Sequence, residues 1–537
     1  MNPERVPVLI AGGSTVGLAA AAFLTRQGIR PLLVEQRAAL SDHPRATSIG
    51  PRAWEALLST GRSAEFLAVA ERRSESKPPI KARSIAEFDP SAAGPPSDVS
   101  KSFVDLIREH TPAYDLGGCG QHQLDPILVR AVESGGGEVR RSAELLSFER
   151  EKDRVVATVR EGGRTSTIEA DYLIGADGAE SRTRELAGIP RDGQGIVGGY
   201  HINVLFRADL GELIASKGFF SPSIITHPDA AGMLIALSEQ DRWCYHIMVP
   251  GDRDATPEDY TAERCREVIR AGLGKPDQEL EILSTSPWRP TAWLADRFRE
   301  GRVFLAGDAA RTLPPVGVFG LTTGICDAYN LAWKLAMVLR GEAGEGLLDS
   351  YDAERRLRSV FLTEQVLLRM RHPDLHWGKG TAEDRAAVGI AEHAIAHLCD
   401  VYRSEAIVGP RTEPLSGTDA GANLDGSPGT RVPHVEVDHE GTRMSTVDIA
   451  RERFTLLAGR DGTAWTEAAR TASKATGVPV TAFALDTGGA WERKAGIGPS
   501  GALLVRPDGQ VAWRATGTAE SPEAVLEAAV RQVVALP

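Results

Sequence analysis

The pattern of apolar and polar positions predicts a compact opening unit in the first 35 residues. The run Val6–Ala11 is apolar and has the length of a buried strand. The next segment carries apolar residues at helical spacing and ends at Gly28, a residue that commonly stops a helix. A second apolar run, Pro31–Val34, ends at Glu35. This order predicts a strand, a helix and a second strand parallel to the first.

The middle of the chain has a different periodicity. Short strand-like runs separated by turn residues extend from about residue 144 to 176 and again from 200 to 290, which predicts an antiparallel sheet inserted into an α/β frame. Before them, residues 76–101 are rich in proline and serine, as in a long loop or a mobile lid. Helical periodicity returns over Thr322–Arg340 and Leu347–Met370.

The end of the chain predicts a separate small domain. Residues 410–433 are rich in glycine, proline and aspartate, a composition typical of a linker. Beyond them, short apolar runs alternate with helical stretches near residues 463–476 and 521–535. The tail is therefore predicted to be an α/β unit with its own core.

The turn after the first strand, Gly12-Gly13-Ser14-Thr15-Val16-Gly17, has the context of a dinucleotide-binding fold, because Glu35 ends the next strand. Gly12 permits a tight turn and Gly17 permits close packing of helix and strand, while the helix N-terminus attracts a pyrophosphate. Ser14 stands where the middle glycine of the usual pattern lies. Its hydroxyl is expected to donate to the pyrophosphate, or else the turn is displaced outward.

A second match to the glycine pattern, at residues 193–198, lacks the flanking strand and helix and is interpreted as a loop.

Two later segments carry carboxylates at strand ends. One strand ends in the turn Asp177-Gly178, and another delivers Gly307 and Asp308 before a glycine-bearing loop enters a helix near Thr322. A carboxylate at the position of Asp308 can accept a hydrogen bond from a ribityl hydroxyl. The free N–H groups of the helix N-terminus can face an electron-rich ring edge.

Composition narrows the functional classes. The 537 residues are 42% hydrophobic and carry a formal net charge of −12, which indicates a multidomain globular protein and argues against nucleic acid or anionic membranes as partners. The five cysteines lie far apart without a CxxC pair, so neither a metal site nor a disulfide framework is expected. No export signal or membrane span is recognised, and a cytoplasmic location is expected.

Together the three glycine motifs resemble those of flavin-dependent aromatic hydroxylases of the para-hydroxybenzoate hydroxylase type, and within them the hydroxylases of aromatic polyketides such as anthracyclines. The segment from Asp327 to Arg355 and the tail after Pro428 support the likeness. The resemblance implies a discontinuous FAD-binding domain of glutathione-reductase type with a parallel sheet (1–190 and 291–395) and an antiparallel substrate-binding domain (191–290). A linker (396–433) and a thioredoxin-like domain without CxxC (434–537) follow.

The resemblance also implies site residues. Those expected at FAD are Gly12, Ser14, Thr15, Val16, Gly17, Glu35, Gln36, Arg45, Gln121, Leu145, Asp177, Gly178, Gly307, Asp308, Pro315, Gly320, Leu321 and Thr322. The backbone of Gly320, Leu321 and Thr322 is the candidate for stabilising negative charge on the reduced flavin. Substrate candidates are His201, Tyr245 and His246, of which the last two point to opposite faces of one strand.

This chain departs from the family pattern around the flavin. It has Gly317-Val318-Phe319-Gly320 and Thr322 where relatives usually carry Gly-Gly-x-Gly and Asn, and Arg311 where His is frequent. These differences predict an altered environment for the isoalloxazine ring.

The activity implied is hydroxylation of a phenolic, polycyclic polyketide in secondary metabolism. NAD(P)H, with NADPH favoured, would reduce FAD, and O₂ would react through a flavin C4a-hydroperoxide. The alternatives are a flavin oxidase or reductase, an oxygenase that cleaves or rearranges the ring, and a non-catalytic carrier of flavin or polyketide. A monomer or homodimer is expected.

Overall fold

The computed structural model describes residues 3–43, 46–75, 80–89, 99–217, 222–237, 241–249, 256–376, 380–439 and 441–537, so that the predicted FAD contact Arg45 lies outside the described residues. The helices are α1 (Thr15–Arg26), α2 (Pro51–Leu57), α3 (Ser63–Val69), α4 (Val99–Arg108), α5 (Gln121–Ser134), α6 (Arg182–Leu186), α7 (Gly211–Lys217), α8 (Ala262–Leu273), α9 (Gly320–Leu339), α10 (Asp349–Arg371), α11 (Pro373–His376), α12 (Ala382–Ala387), α13 (His393–Leu398), α14 (Ala420–Asn423), α15 (Thr446–Ile449), α16 (Thr463–Thr476), α17 (Ala490–Ala495) and α18 (Pro522–Val533).

The strands are β1 (Glu4–Ala11), β2 (Leu32–Glu35), β3 (Ile80–Ala82), β4 (Glu138–Arg141), β5 (Ala143–Arg150), β6 (Val155–Glu161), β7 (Arg164–Gly175), β8 (Arg191–Ile196), β9 (His201–Arg207), β10 (Ser223–Ile225), β11 (Gly232–Ala236), β12 (Arg242–Met248), β13 (Glu281–Trp288), β14 (Thr291–Ala295), β15 (Arg299–Glu300), β16 (Val303–Leu305), β17 (Arg311–Thr312), β18 (Glu436–His439), β19 (Thr442–Ser445), β20 (Phe454–Ala458), β21 (Val480–Ala484), β22 (Ala502–Val505) and β23 (Val511–Ala515).

The largest sheet has the strand order β15-β16-β7-β1-β2-β4, in which β1 runs parallel to β2 and β7, and β16 runs parallel to β7. Helix α1 lies between this sheet and helices α5 and α9, so nearly all of its residues are buried. In the register, Ala11 pairs with both Val34 and Gly175, and Leu305 pairs with Gly175. The carboxyl ends of β1, β7 and β16 therefore meet at one edge.

A second sheet, which we call the middle sheet, has the order β13-β9-β12-β11-β10-β3. Its apolar face includes Val204, Phe206 and Tyr245 and shares a core with residues of α8. Strand β3 comes from the segment 76–101, and Ile85 and Phe88 enter the same core. Residues 80–82 are thus a strand of the middle sheet and the turn that follows packs into its core, while 76–79 and 90–98 lie outside the described residues.

The interpretation of residues 193–198 as a loop is wrong over most of its length. Residues 191–196 form β8, which pairs with β14 through a register shift. Gly193 has φ +145°, and a Cβ there would lie 2.2 Å from the carbonyl oxygen of Ala292. Because glycines show no apolar alternation, this strand had no periodicity by which to recognise it.

The C-terminal sheet has the order β21-β20-β22-β23, with α16 and α18 contributing to its core. Trp333 and Met337 of α9 lie in that same core with Phe454 and Trp465. The C-terminal unit therefore packs directly on a helix of the parallel-sheet unit. The fold class expected from the sequence is confirmed.

Within the described ranges, no helix combines the length and apolarity needed to cross a bilayer.

Candidate cofactor and substrate site

Three turns interlock at the edge where β1, β7 and β16 end. Gly12 has φ +108°, and a Cβ there would lie 2.3 Å from the carbonyl oxygen of Ala176. A Cβ on Gly17 would lie 1.9 Å from the carbonyl oxygen of Gly12. Gly307, with φ +63°, leaves room for the side chain of Val16, which its Cβ would approach to 3.0 Å. These glycines are needed because backbones and side chains of three sequence motifs occupy the space of their missing Cβ atoms.

Glu35 closes the first turn. Its Oε2 accepts a hydrogen bond from the backbone N–H of Gly13 at 2.6 Å, and its Oε1 accepts one from the N–H of Arg37 at 2.9 Å. Each carboxylate oxygen has a further acceptor position. Glu35 is therefore held in a fixed orientation and can still accept from hydroxyls of a ligand. Gln36, next to it, is exposed.

Ser14 and Thr15 have different roles at the start of α1. Ser14 is the N-cap residue and is exposed, but its side chain makes no capping hydrogen bond. Thr15 is buried, where its Oγ1 donates to Asp125 Oδ1 at 2.5 Å and accepts from Gln121 Nε2 at 3.0 Å. Thr15 and Gln121 thus fix the first turn of α1 to α5. The hydroxyl of Ser14 stays available to a ligand.

Asp177 builds the second turn through its side chain. Its carboxylate accepts from the hydroxyl of Ser181 at 2.5 Å and from both the N–H and the hydroxyl of Thr183 at 2.8 Å. Gly178 follows with φ +87°, and a Cβ there would meet nothing within 4 Å. The carboxylate therefore shapes the turn, and the backbone of Gly178 borders open space.

The third turn rests on a buried cluster of charges. Asp327 accepts from the N–H of Gly307 at 3.1 Å, from Arg311 Nη1 at 2.5 Å and from Arg355 Nε at 2.8 Å. Arg311, Asp327 and Arg355 are almost fully buried, whereas Asp308 is exposed at the edge of the sheet. The arginine that departs from the family pattern is thus an internal partner of Asp327.

The loop before α9 brings the predicted flavin-facing residues together. Val318 adopts φ +61°, which is unusual for a β-branched residue, and is 43% exposed. Thr322 Oγ1 accepts from the N–H of Gly50 at 2.8 Å and donates to the carbonyl of Val318 at 3.1 Å. A Cβ on Gly320 would meet nothing within 4 Å. Because the first N–H groups of a helix have no partner inside it, Gly320, Leu321 and Thr322 present donors beside open space.

His397 lies behind this loop. The centroid of its ring lies 4.8 Å from the centroid of the Phe319 ring. The guanidinium of Arg369 lies over the same Phe319 ring, 5.5 Å from its centroid. Burial, followed by the charge of His393, holds the pKa of His397 well below its usual value. The imidazole is therefore neutral at physiological pH.

Two further residues were predicted to contact FAD. Pro315 is exposed in the same loop and Leu145 is buried in β5.

The three substrate candidates separate between the two faces of the middle sheet. Tyr245 is fully buried on the apolar face, where its hydroxyl donates to the carbonyl of Ala230 at 2.6 Å. Its position gives no support to a substrate contact. His246 points to the opposite face, and His201 lies on that face as well, stacked on Trp288 with 4.6 Å between ring centroids. Strand alternation separated Tyr245 from His246 correctly but did not indicate which face is core.

The three turns fit the FAD that the sequence motifs imply. Glycine is required where the turns contact one another. Gly178 and Gly320 instead border open space, and the hydroxyl of Ser14 makes no capping hydrogen bond. The sequence reasoning missed the roles of Gly50, Asp125 and Thr183 in supporting these turns. In the sequence, Asp125 is only a polar residue near Gln121, and Thr183 is only a threonine after Ser181. Neither residue indicates a supporting role until its contacts are known.

Two protein-family models match the chain. The FAD binding domain family covers residues 5–366 and the aromatic-ring hydroxylase C-terminal family covers residues 425–537. The chain is 35% identical to tetracenomycin B2 monooxygenase-dioxygenase of Streptomyces olivaceus, with 100% of both chains covered. It is also 35% identical to aklavinone 12-hydroxylase of Streptomyces purpurascens, over 99% of this chain and 100% of that protein. The crystal structure of aklavinone-11 hydroxylase in a ternary complex with FAD and aklavinone matches with a TM-score of 0.88 and 34% identity over 100% of both chains.

Proposed function

This chain belongs to the FAD-dependent aromatic-ring hydroxylases, and from that membership we propose that it adds oxygen to a phenolic, polycyclic polyketide at the expense of O₂ and NAD(P)H. The observation that carries the proposal is the meeting of three glycine turns at one sheet edge. Bound FAD would supply the redox chemistry, taking electrons from NAD(P)H and using them to activate O₂.

Three parts of this chain would each hold one part of FAD. The turn from Gly12 to Gly17, with Ser14 exposed, would hold the pyrophosphate, and Glu35 would accept from the ribose. Gly178 and the edge residue Asp308 would border the ribityl chain. The N–H groups of Gly320 to Thr322 would bind the negatively charged edge of the reduced ring. Thr322 would hold those donors in place through its hydrogen bonds to Gly50 and Val318.

The substrate would lie between the flavin-facing loop and the polar face of the middle sheet. The proposal is supported by the hydrogen bond of 2.8 Å between His43, from the loop that follows β2, and Ser284 of β13 on this face. Gly50 of the same loop contacts Thr322. One loop therefore joins the proposed substrate surface to the proposed flavin surface, and a substrate bound between them would be shielded from water.

The experiment is incubation of the FAD-loaded enzyme with NADPH, a tetracyclic phenol and ¹⁸O₂. We expect substrate-stimulated NADPH oxidation and one ¹⁸O atom in the product. Product without label would contradict oxygen insertion and favour a flavin oxidase or reductase. Binding without any turnover would favour a carrier.

A second candidate is oxygenation that cleaves or rearranges the ring. It is favoured by the full-length similarity to a protein named as a monooxygenase-dioxygenase. Two ¹⁸O atoms in the product, with a skeleton changed by NMR, would support this reaction over simple hydroxylation.

A further inference from the structure

The two faces of the middle sheet differ in chemistry. The face on α8 is apolar, whereas the opposite face carries imidazole, amide and thioether groups. In the register, His246 pairs with Met233 on one side and with Asn203 on the other. His201 pairs with Met248 and with Trp288. Since paired residues of antiparallel strands share a face, these side chains form one surface, which we call the polar face.

Most polar groups of this surface have partners within the protein. Trp288 Nε1 donates to Asn203 Oδ1 at 3.1 Å, and the Trp288 ring stacks on His201 at an interplanar angle of 28°. His43 Nδ1 and Ser284 Oγ share a hydrogen bond of 2.8 Å. In His246, by contrast, the buried Nε2 has no hydrogen-bond partner among the described residues.

A buried ring nitrogen without a partner is destabilising, because water is lost from it and no hydrogen bond replaces that water. A ligand oxygen beside this nitrogen would supply the missing hydrogen bond. We propose that His246 determines substrate specificity by hydrogen-bonding a hydroxyl or carbonyl oxygen of the polycyclic substrate through Nε2. The Trp288–His201 pair and Met233 supply the adjoining flat, polarisable surface. This inference rests on the proposed function.

The charges around His246 favour an uncharged oxygen over a carboxylate. Burial, followed by the neighbouring His201 and His43, lowers the pKa of His246 to about 4, so its imidazole is neutral at physiological pH. Arg242 lies on the same face but four residues along β12, roughly 13 Å away at the rise of a strand. A neutral imidazole offers one donor and one acceptor, which suits a phenolic hydroxyl or a quinone carbonyl.

The test compares two ligands that differ only in their hydroxyls, 1,8-dihydroxyanthraquinone and anthraquinone. Their dissociation constants are measured on the FAD-loaded enzyme without NADPH, from the change in flavin absorbance. We expect the wild type to prefer the hydroxylated ligand and His246→Leu to reduce that preference about tenfold, the equivalent of about 1.4 kcal/mol. His246→Gln, which keeps a donor and an acceptor, restores part of it. Met444→Leu on β19, outside the middle sheet, is the control and leaves the preference unchanged.

The preference is a ratio of two affinities measured on one preparation, so a reduced folded fraction in a variant cancels. An unchanged ratio in His246→Leu overturns the role of His246, as does a wild type with no preference for the hydroxylated ligand. Neither result depends on turnover. Incorporation of ¹⁸O by the wild type is measured separately, so that this inference can fail while the proposed function stands; absence of label overturns the proposed function itself.

Discussion

At the scale of single residues, the glycines of the site fall into two groups. Gly12 and Gly17 face other parts of the protein at distances that exclude a Cβ, whereas Gly178 and Gly320 face open space. The first group is required by folding. In the second group, Gly178 is accounted for by its φ of +87°, whereas neither a neighbour nor a positive φ accounts for Gly320, which is the condition expected where a cofactor approaches the backbone.

Gly320→Ala separates these two requirements. A Cβ there meets no protein atom within 4 Å, and alanine favours a helix more than glycine does, so we expect unchanged or slightly higher stability of the apoprotein. We expect FAD affinity to fall about tenfold or more, measured by fluorescence titration of the apoprotein. Gly417→Ala, also in open space but away from the turns, is the control. Equal FAD affinity in Gly320→Ala and the wild type would contradict the placement of the flavin.

Ser14 is tested by two substitutions. If its hydroxyl donates to the pyrophosphate, Ser14→Ala and Ser14→Gly both weaken FAD binding. If the side chain instead displaces the turn outward, Ser14→Gly tightens binding and Ser14→Ala does not. The measurement is the dissociation constant of FAD for each apoprotein. Unchanged affinity in both variants would show that Ser14 has no special role.

At the scale of elements, a buried carboxylate of α10 joins α9 and α10 to the C-terminal unit. Glu354 of α10 accepts from Lys334 Nζ at 2.8 Å, from Asn330 Nδ2 at 2.8 Å and from both terminal nitrogens of Arg506 at 2.6 and 2.8 Å. Burial opposes ionisation, but the charges of Arg506 and Lys334 hold the pKa of Glu354 well below its usual value. Since α9 begins at the proposed flavin surface, this carboxylate links the C-terminal unit to the cofactor site.

Glu354→Gln removes the negative charge, which leaves buried Lys334 without its carboxylate partner and leaves Arg506 paired with Asp508 alone among the described residues. We expect a loss of about 3–5 kcal/mol in the free energy of unfolding, measured by urea denaturation of the FAD-loaded protein. The control is Glu345→Gln, because the Glu345 side chain is 62% exposed and its pair with Arg302 is expected to contribute at most about 1 kcal/mol. Similar losses in both variants would contradict the buried link.

At the scale of the whole molecule, several histidines are buried as neutral groups. Burial is the largest cause of a lowered pKa in each, to about 3 for His393, to about 4 for His246 and His434, and well below the usual value for His397. The unfolded chain takes up protons near pH 6.5 while the folded chain does not. Stability is therefore complete above pH 6.5 and falls as the pH decreases toward 4.

This pH dependence is measurable as the melting temperature of the FAD-loaded protein between pH 7.5 and 5. Each buried histidine contributes up to about 1.4 kcal/mol per pH unit to the slope of the unfolding free energy within that window. We expect His393→Gln to lower the slope, because one proton-binding group is removed from the unfolded state. A melting temperature that does not change from pH 7.5 to 5 would contradict the neutral burial of these residues.

The sequence by itself determined the parallel-sheet opening, the positions of the three glycine turns and the family, because these depend on local periodicity and on residue types that tight turns require. The domain boundaries and the assigned FAD contacts stay predictions. Only the tertiary structure decided that Tyr245 is core and His246 is not, that residues 80–82 extend the middle sheet, and that Arg311 pairs with Asp327. Each of these depends on contacts between residues distant in sequence, and a side chain's partner across such a distance leaves no mark in the local pattern.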